Sequence, residues 1–151
     1  MSKKTLVFVV VAIALTAPAA AQRAVPAEYQ GRWVPAKAAC ESSLGVTVAA
    51  DRVTFVNGKD SEVVGDAEMA GPGFWGPDYR GIMAVLLTEF NGQQPATISF
   101  NFGEKKGVAQ VEYSPVMPGV ANALQKEYNA RIQKLNLAKR FPLDKVPLRK
   151  C

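Results

Sequence analysis

From Trp33 to Tyr113 apolar and polar residues alternate with a period of two, the period of a half-buried strand. Leu44, Val46 and Val48 share a face, and so do Val53 and Phe55 after a short polar connection at Asp51-Arg52. Asn57-Gly58 then supplies a two-residue turn that tolerates positive φ, and Asn91-Gly92 supplies a second. The second turn joins the continuous apolar run Ile82–Leu87, predicted to be buried on both faces, to an alternating strand. In that strand Ile98, Phe100 and Phe102 point one way, while Thr97, Ser99 and Asn101 point the other. After a turn at 103–107, Ala109, Val111 and Tyr113 continue the inward face. The pattern predicts a mainly β domain: an antiparallel meander curling into a small barrel or half-barrel.

Beyond Ser114 the period changes. Pro115 and Pro118 break the sheet, and Val120, Leu124, Tyr128, Ile132 and Leu135 recur every three or four residues. This places them on one face of an amphipathic helix of about five turns, over residues 119–139, whose apolar stripe is expected to cover the open side of the sheet. The segment from Leu143 to Cys151 reads as extended.

The first 21 residues belong to a different pattern. Lys3 and Lys4 precede an apolar run from Leu6 to Leu15, and Pro18 and Ala19-Ala20-Ala21 follow it. This is the build of a cleavable secretory signal, with cleavage after Ala21 and a single domain over 22–151 that is periplasmic or secreted. The run is shorter than the ~20 apolar residues of a spanning helix, so a retained anchor is the weaker reading.

The net charge of the full chain is +5, and the leader holds two of its lysines and no acid, leaving +3 on the domain. That charge is unevenly shared. Residues 22–114 carry eight basic and eleven acidic groups, whereas residues 115–151 carry eight basic and two acidic ones. A basic surface attracts anionic polymers, headgroups or acidic proteins at long range. Nucleic acid is not expected, because no recognised binding motif is present and the compartment is wrong, and contact with a membrane surface is not expected either.

Two cysteines in an exported chain favour a bridge between Cys40 and Cys151, closing a loop worth about 4 to 5 kcal/mol by chain entropy; two free thiols or an intermolecular pair are the alternatives. The chain has no histidine, so neither a Ser-His-Asp nor a Cys-His pair can form, and the commonest zinc ligand is missing. No spacing singles out a pair among Asp51, Asp60, Glu62, Asp66, Glu68, Asp78, Glu89, Glu104 and Glu112. No enzyme activity, cofactor or metal is expected.

One loop stands out. Residues 71–81 place Phe74, Trp75 and Tyr79 among glycines and prolines, with Arg80 beside them. Aromatics on a loop bury much area at low entropic cost and serve well as binding anchors. The competing role is structural, with Phe74 and Trp75 folded back as a plug in one end of the barrel. Phe74, Trp75, Tyr79 and Arg80 are the candidate residues for contact with a ligand or partner.

Gly31-Arg32-Trp33 resembles the Gly-x-Trp start of a lipocalin's first strand, and the order of strand, meander, late helix and disulfide-tied terminal segment is similar to that fold. The chain also resembles small exported bacterial two-cysteine proteins that open with Gly-x-Trp, carry a cysteine soon after, here Cys40, and end in a basic residue and cysteine, here Lys150-Cys151. The second resemblance implies a disulfide-closed β domain. The expected function is that of an exported binding protein of the cell envelope, an inhibitor or accessory of another protein, with an envelope polymer as a further kind of partner. The alternative is a lipocalin-like carrier of a small apolar ligand, against which large inward phenylalanines argue.

Overall fold

The computed structural model describes residues 24–70, 75–76, 78–89, 94–119 and 122–151. The expected leader at 1–21, Phe74, the expected turn at Asn91-Gly92 and Val120 lie outside the described residues.

Among the described residues, nine strands form one wholly antiparallel sheet. They are β1 (Gly31–Pro35), β2 (Leu44–Val48), β3 (Val53–Asn57), β4 (Asp60–Val64), β5 (Glu68–Met69), β6 (Ala84–Leu87), β7 (Ala96–Phe100), β8 (Val108–Tyr113) and β9 (Pro147–Lys150). Their order in space is β4-β3-β2-β1-β9-β8-β7-β6-β5. Two meanders, β1–β4 and β5–β8, are therefore joined by the last strand, which pairs with β1 on one side and β8 on the other.

The outermost strands, β4 and β5, are consecutive in the chain. Only Gly65, Asp66 and Ala67 separate them, a link that reaches at most about 14 Å. The sheet must curl until its two edges meet at that corner. Hydrogen bonds tie the corner to both sides, from Ala67 N to the Asp51 carbonyl at 2.9 Å and from Glu89 N to the Gly65 carbonyl at 3.1 Å. The mainly β half-barrel read from the alternation is the fold observed.

The alternating residues fill its interior. Val46, Val53, Phe55, Val64, Leu86, Ala96, Phe100, Ala109, Val111 and Leu148 are wholly buried, and Trp33 and Ile98 nearly so. One end is plugged from the N-terminal side of β1, where Tyr29 stacks on Phe100 at 4.6 Å between ring centroids and Val25 is buried. Trp33 donates its indole N–H to the Tyr29 carbonyl at 2.9 Å, so its burial leaves no polar group unpaired. The other end is plugged by Leu137, Phe141 and Leu143, with Phe141 packed on Phe55 at 5.8 Å.

The helical region is shorter and broken. Helix α1 spans Ala123–Leu135, with Asn122 as its N-cap accepting from Gln125 N. Asn136 then takes a left-handed conformation at φ 46°, and the four-residue α2 follows at Leu137–Arg140. The expectation that the apolar stripe covers a sheet face is corrected. Tyr128 is buried and Ile132 and Leu135 are half-buried, but Leu124 is 66% exposed. The helix rests instead on connections at the barrel's end. Asn129 holds the backbone of Met117 by two hydrogen bonds, of 2.9 and 2.8 Å, and Arg131 pairs with Glu89 after β6. In α2, Arg140 donates to both Asp60 and Glu62 and to the Ser61 carbonyl, covering the free edge of β4 with charge.

Two smaller expectations are also corrected. The β3–β4 turn consists of Gly58 and Lys59, because Asn57 pairs with Asp60. Phe102 does not point inward with Ile98 and Phe100: β7 stops at Phe100, Asn101 turns left-handed at φ 54°, and Phe102 emerges 39% exposed.

Cys40 and Cys151 are bridged, their Cα atoms 5.7 Å apart. Among the described residues no helix is long and apolar enough to cross a membrane.

Candidate binding surface

The loop that carries Trp75, Tyr79 and Arg80 lies at the barrel end where β6 begins and β7 finishes. Trp75 is 42% exposed, and its ring centroid is 6.0 Å from that of Tyr79. Trp75 does not plug the barrel, because Val25 and Tyr29 occupy that role. Phe74 lies outside the described residues.

What fixes this loop is a turn on the neighbouring hairpin. Asn101, Gly103, Glu104 and Gly107 all have positive φ, so the chain between β7 and β8 folds back tightly on itself. Glu104 projects from that turn and accepts the Tyr79 phenol on one carboxylate oxygen and the Ile82 amide, at 2.7 Å, on the other. The Met83 amide donates to the Tyr79 hydroxyl at 3.2 Å. Asn101 adds a second clasp, donating to the Ile82 carbonyl at 2.9 Å and accepting from Gly107 N at 3.1 Å. The fit is close enough that a Cβ on Gly81 would run into both the Glu104 carboxylate and the Tyr79 hydroxyl.

The electrostatics agree with this geometry. The phenol of Tyr79 holds the Glu104 carboxyl below the usual carboxylate range, helped by the Ile82 amide. The same hydrogen bond raises the phenol above its ordinary value. Both groups therefore keep their bonding forms at neutral pH, with Tyr79 as donor and Glu104 as acceptor.

Clamping the two loops together leaves Trp75, Ile82 and Phe102 exposed at one end of the barrel, with Ile82 and Phe102 each 39% exposed. Arg80, Lys105 and Lys106 are exposed around them, and the Arg80 guanidinium donates to the Tyr79 carbonyl at 3.2 Å. The structure thus brings three of the sequence-read residues, Trp75, Tyr79 and Arg80, together with four that the sequence reading did not assign to a site: Ile82, Asn101, Phe102 and Glu104. The sequence reading places Phe102 on an alternating inward face and Ile82 in a continuous buried run, and both are exposed. The available signal was Asn101-Phe102-Gly103-Glu104, where an Asn and a Gly suited to left-handed backbone flank an aromatic residue.

Among the described residues, those lining the barrel interior are packed against one another. A groove of about 440 Å³ lies outside it, between α1 and the end of β8, lined by Pro95, Tyr113, Pro115, Val116, Ile132 and Leu135. Among the described residues no group of three or more side chains is placed to hold a metal ion. Compared with protein families, curated proteins and solved structures, the chain matches none of them.

Proposed function

We propose that this is an exported, non-enzymatic binding protein that presents the Trp75–Tyr79–Ile82–Phe102 end of its barrel to another protein of the cell envelope, as an inhibitor or accessory. The observation that carries the reading is an exposed apolar group held rigidly: Trp75, Ile82 and Phe102 face solvent while Glu104 and Asn101 fix the loops beneath them. A preorganised aromatic anchor loses little conformational freedom on binding, so more of its buried area appears as affinity. Arg80, Lys105 and Lys106 around the rim fit a partner whose apolar cleft has an acidic border. Export is supported by the leader-like residues 1–21 and by the disulfide, a bond that persists in oxidising compartments. Phe55 and Phe100 on the strands and Phe141 beside them, all wholly buried in the core, weigh against a hollow carrier.

The test is a photo-crosslinking residue placed at Phe102 in the producing cell, with one at Thr47 on β2 as the control. The reading expects one discrete protein adduct from position 102, competed by excess wild-type protein but not by a Trp75→Ala/Ile82→Ala variant. Equal adduct patterns from both positions, or competition that ignores the two substitutions, would count against it.

A further inference from the structure

The bridge between Cys40 and Cys151 is chemically lopsided. Arg149 donates one guanidinium N–H to Cys40 Sγ at 3.3 Å and another to the Ala38 carbonyl at 2.8 Å. Its backbone is fixed as well, since it lies opposite Val34 in β1 and Val108 in β8. The neighbouring cation, Lys150, is turned away and donates to the Glu28 carbonyl at 2.7 Å. One sulfur thus carries a guanidinium partner. The other belongs to the more exposed residue: Cys151 is exposed, whereas Cys40 is only partly so.

We propose that this bridge is a directional thiol-exchange site, at which a dithiol reductant attacks Cys151 Sγ and Cys40 leaves as a thiolate on the Arg149 guanidinium. In the first step the incoming thiolate forms a bond to Cys151 Sγ as the Cys151–Cys40 bond breaks, and the electron pair of that bond goes to Cys40. In the second, the reductant's other thiolate attacks its own sulfur in the mixed disulfide, and Cys151 departs and takes a proton. The reductant ends as a disulfide, and this chain gains two electrons and two thiol or thiolate groups. A nearby guanidinium favours thiolate over thiol, and the sulfur whose thiol is the stronger acid leaves faster, so Arg149 sets the direction. The consequence reaches the fold through β9. The bridge fixes the end of the one strand that joins the two meanders, so exchange there releases the constraint on the seam between them.

The experiment treats the oxidised, folded protein with limiting glutathione, quenches with acid, and maps the adduct by peptide mass spectrometry. The mixed disulfide is expected on Cys151 in at least threefold excess over Cys40. Arg149→Gln, which keeps the side-chain stem and removes the charge, is expected to bring the ratio close to one, and Arg149→Lys to restore part of it. In the single-cysteine variant Cys151→Ala, half-maximal alkylation of Cys40 is expected roughly one pH unit below that of Cys151 in Cys40→Ala. Equal labelling in the wild-type protein, a preference for Cys40, or a preference unchanged in Arg149→Gln overturns the proposal.

Discussion

Removing the bridge by Cys40→Ala/Cys151→Ala tests how the two meanders are held together. The cysteines are 111 residues apart, so the bridge closes nearly the whole described domain into one loop. Chain entropy assigns such a loop about 16 cal/mol/K, or about 4.8 kcal/mol at room temperature, almost all of it by restricting the unfolded chain. The folded side of the balance changes little. Leu148 stays buried, β9 keeps its pairing to β1 and β8, and the Cys151 amide already donates to the Arg32 carbonyl at 2.8 Å. The variant should therefore fold with its sheet intact and lose a large share of the 5–15 kcal/mol typical of a domain. Urea unfolding followed by the fluorescence of buried Trp33 measures this. With a slope of roughly 1.5 kcal/mol per molar, the midpoint should fall by about 3 M, and the slope should rise because the unlinked chain exposes more surface. A midpoint within about 0.5 M of the wild type would refute the reasoning and place the stability of the seam in β9 pairing alone.

Other outcomes follow from particular residues. Phe141→Ala removes a wholly buried ring packed on Phe55 and should cost about 3–5 kcal/mol in urea unfolding, leaving a cavity that takes up benzene in a binding titration. Gly45→Ala places a Cβ about 2.5 Å from the Trp33 carbonyl, forcing β1 and β2 apart; a loss of roughly 1–3 kcal/mol is expected by the same assay. Because Glu104 titrates below its unfolded value, its hold on Tyr79 and Ile82 is present above the ordinary carboxylate range and is lost as pH falls through its depressed folded value. Tyr79 titrates above its ordinary value, so the same clasp also fails as pH rises through that raised value. Amide exchange at Ile82, corrected for the intrinsic pH dependence, should be slow between these limits and faster outside them, and Glu104→Gln should weaken the acid dependence.

Much of the β architecture was legible because burial on one face of a sheet forces a period of two. Val46, Val48, Val53, Phe55, Ile98, Phe100, Ala109 and Val111 obey it and are all buried. The rule fails where the backbone leaves the pleat. Asn101 turns left-handed and reverses the fate of Phe102, and Ile82 precedes β6 in a segment held by Glu104 and Asn101. Alternation alone carries no sign of either event. The central place of β9 was equally hidden: Pro147–Lys150 is too short to show a period, and its neighbours lie more than a hundred residues away for β1 and about forty for β8. Helix periodicity identified α1 but not what it packs against, since Leu124 has the spacing of a buried residue and an exposed position. The aromatic loop was visible from its glycines and prolines. Its rigidity was not, because the clamp is built from a turn some twenty residues further on.

The most direct test of the proposed binding surface is hydrogen–deuterium exchange on the chain alone and in complex with the protein captured through position 102. Added protection is expected at the amides of 78–83 and 101–107, with β2, β3 and β4 on the opposite meander unchanged. Protection confined to those three strands or to α1, with the aromatic end exchanging as in the free chain, would contradict it.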